Sequence, residues 1–229
     1  MATTPRVVIV GGHGKVALLA TPKFRDAGYD VDSIIRDEKQ SERIIEAGGT
    51  PIVLSLEDAS VDALADAFSG ATAIVFSAGA GGKGPKERTR AVDYDGAVRC
   101  MEAAEKADVS RFIMVSYSNA LWHADELDPE DSFYPYAKAK QDADAHLRKT
   151  DLDYTILGPG LLTLDDATRR LTRADAYGRI DGEKPSPDER VTSRDNVAEA
   201  IVHVVKNNAA IKETVNFYEG HTPLEDVFA

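Results

Sequence analysis

Short β-branched apolar runs alternate with longer amphipathic stretches along most of the chain. The segments "RVVIV" (6–10), "DVDSIIR" (30–36), "TPIVLS" (50–55), "TAIVFSA" (72–78), "RFIMVSY" (111–117) and "DYTILG" (153–158) have the length and composition of strands. Helical periodicity fills 15–27, 38–47, 60–69, 86–107 and 134–150 between them. Strands that are apolar on both faces and separated by helices predict a parallel sheet with both sides covered. Right-handed crossovers then make it a Rossmann-like, doubly wound α/β fold. Pro22 falls inside the first helical run and is expected to bend or shorten it.

After Gly158-Pro159-Gly160 the rhythm changes. Residues 161–190 are charged and end in "DGEKPSPDER", so they read as a cap-like insertion rather than another strand–helix unit. The pattern resumes with "RVT" and a helix over 193–207, where Ser193 suits the N-cap and Asp195 the first turn. A last strand, "TVNFYEG", follows. The expectation is one domain over 1–229 with a small C-terminal lobe that shapes the substrate side.

Composition narrows the partners. The chain has 229 residues and a net charge of −12, which repels a phosphate backbone, and no basic stripe interrupts it. Nucleic acid is excluded as an expected partner. No apolar run approaches the ~20 residues that cross a bilayer, and no secretory leader is visible, so a cytoplasmic protein without membrane attachment is expected. The single cysteine, Cys100, sits among alanines in a helical pattern and reads as a buried thiol. Five scattered histidines have no zinc-ligand spacing, so no metal site is expected.

The first strand runs directly into "GGHGKVA". Gly12-x-Gly14-x-x-Ala17 fits a dinucleotide fingerprint, in which the backbone turns tightly, approaches a pyrophosphate and presents it to a helix N-terminus. Gly11, Gly12, His13, Gly14, Lys15 and Val16 are the candidate cradle positions. The second strand ends at Arg36, where an NAD binder usually carries an acidic residue for the ribose. A guanidinium there suits a 2′-phosphate, which points to NADP(H) over NAD, although a solvated surface charge would look the same. Asp37 is expected to face solvent. After the third strand, Leu56, Glu57 and Asp58 stand where an adenine edge could lie; Asp58 could accept from the adenine amino group, with an N-cap as its other reading. The fourth strand ends in "SAGAGGKG", whose small residues Ser77, Ala78 and Gly79 would let a ribose lie against the backbone.

The stretch "SFYPYAKAKQDADAHLR" holds two nested Tyr-x-x-x-Lys pairs. On a helix with Tyr136 at about 0°, Lys140 lies near about 40°, Ala143 near about −20° and Leu147 near about 20°. Tyr136 and Lys140 therefore share the apolar stripe, whereas Tyr134 and Lys138 fall on the opposite side. Pro135 favours the first helical position, which would leave Tyr134 before the helix. A lysine on an apolar stripe needs a partner, since burying a lone ammonium is costly. A ribose and a tyrosine hydroxyl would supply one. An ammonium beside Tyr136 would lower its pKa enough for acid/base work. A core aromatic beside a snorkelling lysine is the other reading. Ser116, at the end of the fifth strand, could hold a substrate carbonyl oxygen near Tyr136 and fits that place better than Ser118. Trp122 and His123 read either as substrate walls or as exposed loop residues.

These residues together resemble the atypical short-chain dehydrogenase/reductases, in the branch with NmrA-like and sugar-epimerase-type NAD(P)-binding proteins. The resemblance runs through "VVIVGGHGKVA", "SIIRD", "VFSAGAGG", "AVDYDGA", "RFIMVS", "YAKAKQDADAHLR", "LDYTILGPG", "VTSRDNVAEAI" and "EGHTPLEDVF". It implies a Tyr136/Lys140 pair, nucleotide contacts at Gly11, Gly14, Arg36, Asp58 and Ala78, and a helix bearing Asp93 and Gly96 beneath the nicotinamide ribose. Pro159 and Gly160 match the turn after the sixth strand. The family usually has arginine where this chain has Gly158, a departure on the substrate side. The resemblance implies an NADP(H)-dependent oxidoreductase acting on a small carbonyl or alcohol, or an epimerase using the same hydride transiently. Two alternatives remain: a non-catalytic NADPH sensor that binds a protein through its C-terminal lobe, and a reductase for flavin or a similar bulky ring.

Overall fold

The computed structural model describes residues 4–79 and 86–229. In chain order the elements begin with β1 (Arg6–Val10), α1 (Lys15–Asp26), β2 (Asp30–Ile35), α2 (Ser41–Glu46), β3 (Thr50–Val53), α3 (Val61–Phe68) and β4 (Ala73–Phe76). There follow α4 (Lys86–Thr89), a π-helical segment (Arg90–Asp95), α5 (Gly96–Lys106), β5 (Arg111–Val115), α6 (His123–Glu126), α7 (Tyr134–Leu147) and β6 (Asp153–Pro159). The last part comprises β7 (Leu161–Thr163), β8 (Arg170–Ala174), β9 (Val191–Ser193), α8 (Arg194–Lys206), β10 (Glu213–Glu219), β11 (Thr222–Pro223) and α9 (Leu224–Val227).

Nine strands form one sheet in the order β11-β8-β10-β6-β5-β4-β1-β2-β3. The run from β3 to β10 is parallel throughout, and β8 pairs antiparallel with β10. This is the Rossmann-like α/β architecture: the order reverses between β1 and β4, and their carboxyl ends flank a crevice. The strands β1, β4 and β5 are buried along almost their whole length, as parallel strands covered on both faces must be.

Each face has its own apolar layer. On one side α1 and α8 pack Ala17, Ala20, Phe24, Val197 and Ile201 against Val7, Ile9, Val75 and Ile113. On the other, Leu64, Phe68, Met101 and Leu147 cover Val8, Ile74, Phe112 and Ile156. A fully buried Phe68 or Phe24 contributes roughly 1.5–3 kcal/mol through area removed from water. Lys23 on α1 ties the first layer together by pairing with Asp195 (3.0 Å) and Glu199 (2.7 Å) of α8.

Pro22 does not interrupt α1, which runs from Lys15 to Asp26 around it. The segment 161–190 divides. Arg170–Ala174 enters the main sheet as β8, burying Leu171 and Ala174, while Leu161–Thr163 pairs with β9. The expected long helix over 86–107 is broken in phase by the π-helical turn, which carries the fully buried Asp93. Ser193 caps α8 by accepting from Asn196 N–H at 2.9 Å.

Candidate active site at the carboxyl edge of the sheet

A cleft of ≈ 400 Å³ lies over the carboxyl ends of β1, β2 and β4. Gly11, His13, Gly14, Arg36, Leu56, Ser77, Ala78 and Gly79, all singled out from the sequence, line it. Gly11 is in the left-handed region (φ +82°), and a Cβ there would stand 2.6 Å from the Ala78 Cα, so the two turns meet backbone to backbone. Gly14 precedes α1, whose first turn holds no acidic residue and which no side chain caps among the described residues. Free N–H groups facing a glycine-walled cleft suit a pyrophosphate.

Other cradle positions lie elsewhere. Gly12 packs on β2, where a Cβ would come within 2.5 Å of the Ser33 Cβ. Val16 belongs to the core, and Lys15 lines a separate cavity with Arg43 and Arg194. Asp58 is exposed and outside the cleft lining; Glu57 lines the cleft instead and pairs with Arg88 at 3.1 Å. Asp58 does not cap α3 either, since Ser60 does, accepting from Ala63 N–H at 3.2 Å. Arg36 is exposed at the cleft rim, and none of its side-chain nitrogens meets a described partner within bonding distance, whereas its N–H donates to Gln40 Oε1 at 3.3 Å. The exposed Asp37 caps a short 3₁₀ turn, accepting from Lys39 N–H at 3.0 Å. The remainder of the turn read after β4, residues 80–84, lies outside the described residues.

At the ends of β5 and β6 the second half of the site assembles around α7. Helix α7 starts at Tyr134, with Pro135 in its first turn, so Tyr134 is the first helical residue rather than a residue before the helix. Lys138 pairs with Asp142 on the partly exposed side at 2.6 Å. Ala139, Lys140, Ala143, Asp144 and Leu147 are the buried face, and Tyr136 is half-buried. Lys140 is only 3% exposed. Its Nζ donates to the Val115 carbonyl oxygen at 2.9 Å and stands 3.8 Å from Asp93 Oδ1.

Ser116 does not point a free proton at a ligand. Its hydroxyl donates to Asp144 Oδ2 at 2.7 Å, and its backbone N–H donates to Leu157 O at 2.8 Å. A serine hydroxyl has one proton, so toward a ligand Ser116 is left as an acceptor while Asp144 is ionised. Asp144 is 1% exposed, and its Oδ1 has no hydrogen-bond partner among the described residues. Burial pushes its carboxyl up to about 6, against the opposing influence of Ser116, Lys140 and Arg148. Burial also pushes the Tyr136 hydroxyl well above its ordinary value, and the charges of Asp93 and Asp144 push in the same direction. Lys140 therefore does not produce the lowered tyrosine pKa expected from the spacing.

Aromatic rings crowd this end. Tyr136 lies 5.7 Å from Tyr117 and 5.2 Å from Phe133, ring centre to ring centre. Trp122 packs on Tyr177 at 5.5 Å, and His123 packs on Tyr117 at 5.9 Å, so the segment after β5 is a packed wall rather than a free loop. Ser118 is structural: its hydroxyl lies 2.6 Å from the Tyr218 hydroxyl, which also donates to Gly178 O at 2.9 Å. At Gly158 a Cβ would sit 2.1 Å from Asn216 Oδ1, so the Asn216 side chain fills the space beside this glycine. Pro159 accepts from Ser118 N–H at 2.8 Å, and Gly160 donates to Thr192 Oγ1 at 3.0 Å. Gly96 is buried beside Leu56.

Asp144 lies within the "YAKAKQDADAHLR" segment that carries the resemblance, but the sequence assigned it no role. Its signal was an acidic side chain one turn beyond Lys140, on the flank of an apolar stripe. Among the described residues no group of acidic, histidine and cysteine side chains could hold a metal ion, and no helix is long and apolar enough to cross a membrane.

Comparison with known proteins agrees with this geometry. A family model described as NAD(P)H-binding matches residues 11–208. The chain is 36% identical to the UPF0659 protein YMR090W of Saccharomyces cerevisiae over 230 residues, covering 96% of each. It is 31% identical to an uncharacterized sugar epimerase, YhfK, of Bacillus subtilis over 222 residues, covering 96% of this chain and 97% of that one. A solved structure from Bacillus halodurans, provisionally named an NAD-dependent epimerase/dehydratase, superposes with a TM-score of 0.85 at 30% identity, covering 97% of this chain and 98% of that one.

Proposed function

The chain belongs to the NAD(P)H-binding family whose model spans residues 11–208, and from that premise we propose that it is an NADP(H)-dependent oxidoreductase acting on a small carbonyl or alcohol. The observation that carries this reading is the buried Lys140, held by Val115 O beside Asp93 and one helical turn from Tyr136. A core helix would not keep an ammonium there for packing alone. The glycine-walled cleft and the uncapped start of α1 fit a dinucleotide pyrophosphate. Arg36 at the cleft rim, with no described partner within bonding distance, supports NADP(H) over NAD(H), because its planar fork can take a 2′-phosphate through charge-assisted bonds.

When bound, the nicotinamide cofactor supplies the hydride chemistry. Tyr136 then exchanges a proton with the substrate oxygen, and Lys140 holds the neighbouring ribose hydroxyls. Ser116, whose proton is committed to Asp144, accepts from a substrate hydroxyl. The same residues would serve an epimerase, in which a hydride leaves and returns at one carbon while the proton leaves and returns at the oxygen it bears. A second reading, a sensor that binds NADPH without turnover, is favoured by the Tyr117 and Phe133 rings packed on Tyr136.

Calorimetry with NADPH and NADH tests the cofactor assignment. NADPH should bind at least about tenfold more tightly, since a charge-assisted contact contributes ~1.5–3 kcal/mol, and Arg36→Ala should erase the difference. Equal affinities in the unmodified protein would overturn the NADP(H) assignment. NADPH oxidation against a panel of aldehydes, ketones and flavins separates the enzyme from the sensor.

A further inference from the structure

Lys140 already has one carboxylate beside it, since Asp93 Oδ1 lies 3.8 Å from its Nζ. Asp144 is a second carboxylate at the same place, 1% exposed and a single turn further along α7. Only one of its oxygens is occupied: Oδ2 accepts from Ser116 at 2.7 Å, while Oδ1 has no hydrogen-bond partner among the described residues. A buried carboxylate with one oxygen left unpartnered projects its field further than a solvated one.

We propose that Asp144 sets the redox preference of the bound cofactor: its buried negative charge favours the oxidised, cationic nicotinamide ring over the reduced, neutral one. This inference rests on the cofactor reading above. Tyr136, Lys140 and Asp144 are spaced by four residues each on α7, so Asp144 stands about 6 Å along the axis from Lys140 and about 12 Å from Tyr136. A unit charge about 12 Å from the ring, at an effective dielectric of about 20, would change the affinity ratio of a cationic and a neutral ring by roughly tenfold. With a nicotinamide cofactor bound, that field would favour hydride release, because release creates the positive charge that Asp144 stabilises.

The charged groups facing Asp144 come from several elements. Lys140 lies one turn before it on α7 and Arg148 caps that helix, Asp93 of the π-helical turn pairs with Lys140, and Arg173 and Asp175 line the same ≈ 250 Å³ cavity as Asp144 from the side of β8. The phenols of Tyr117 and Tyr136 stay protonated, since burial raises both. Arg148 also donates to Thr214 Oγ1 (3.1 Å), and Arg173 pairs with Glu213 (2.8 Å). Burial raises the Asp144 carboxyl to about 6, so its charge is present at pH 7.5 and is lost on going to pH 5.

The test measures dissociation constants for NADP⁺ and NADPH between pH 5 and 8. The ratio of the two is the readout, because both forms carry the same 2′-phosphate and its titration cancels. In the unmodified protein the ratio should shift toward NADPH by roughly tenfold as pH falls through about 6. Asp144→Asn should fix the ratio near its low-pH value at every pH. Ser116→Ala keeps the charge but removes the hydrogen bond that lowers the Asp144 pKa, so the shift should persist with its midpoint moved upward. A pH-independent ratio in the unmodified protein, or an unchanged transition in Asp144→Asn, overturns the inference alone. Failure to bind either form overturns the cofactor reading and this inference with it.

Discussion

Asp144 enters the folded state at a cost. Its ionised form is disfavoured by burial, so its folded pKa of about 6 lies above the ordinary carboxylate value of 3.8. Stability from this group is fully present below about pH 4, where both states are protonated, and is lost as pH rises through about 6. The difference amounts to up to about 3 kcal/mol at neutral pH. Asp144→Asn should therefore raise the urea midpoint relative to the unmodified protein at pH 7.5, and the gain should shrink toward pH 4. A gain of the same size at both pH values would show that the carboxylate is not the destabilised form. At this scale the sequence made some features plain and concealed others. Lys140 was legible because a lysine inside an apolar stripe contradicts its surroundings. The Ser116–Asp144 bond was not, because it joins residues 28 apart on different elements. Asp58 and Glu57 could not be told apart without the turn geometry that sends one to solvent and the other to the cleft.

The end of β6 makes a similar point about elements. Gly158 lies where two neighbours close in: a Cβ would be 2.1 Å from Asn216 Oδ1 and 3.3 Å from Tyr117 O. Asn216 is held in place on β10, donating to Asp175 O at 2.8 Å. Gly158→Ala should cost ~1–3 kcal/mol by overpacking, and Asn216→Ser should recover much of that loss. Thermal denaturation of the two single variants and the double variant measures the coupling. Additive effects would mean that the Asn216 side chain is not what excludes a residue at 158. Helix α7 was readable from its 3.6-residue period, whereas the π-helical turn at Arg90–Asp95 was not, because one extra residue per turn shifts the phase of a continuous helical pattern. β8 was hidden for a different reason: "RLTRA" is an edge-side antiparallel strand with only Leu171 and Ala174 buried, so its charge resembled that of a surface segment.

Across the whole molecule, the doubly wound sheet brings two half-sites to one edge. β1, β2 and β4 deliver the glycine-walled cleft and Arg36, and β5, β6 and α7 deliver Ser116, Lys140 and Tyr136. That architecture was legible because buried parallel strands alternate with helices from residue 6 to residue 158. Whether the two half-sites together transfer a hydride is tested by NADPH oxidation across a panel of aldehydes and ketones, run in parallel with the unmodified protein and Tyr136→Phe. Turnover of at least one carbonyl is expected, lowered by ~10²–10⁴ in Tyr136→Phe while NADPH affinity is kept. Turnover that survives in Tyr136→Phe would remove the tyrosine from the chemistry, and NADPH binding with no turnover of any carbonyl would contradict the assignment as an oxidoreductase of small carbonyls.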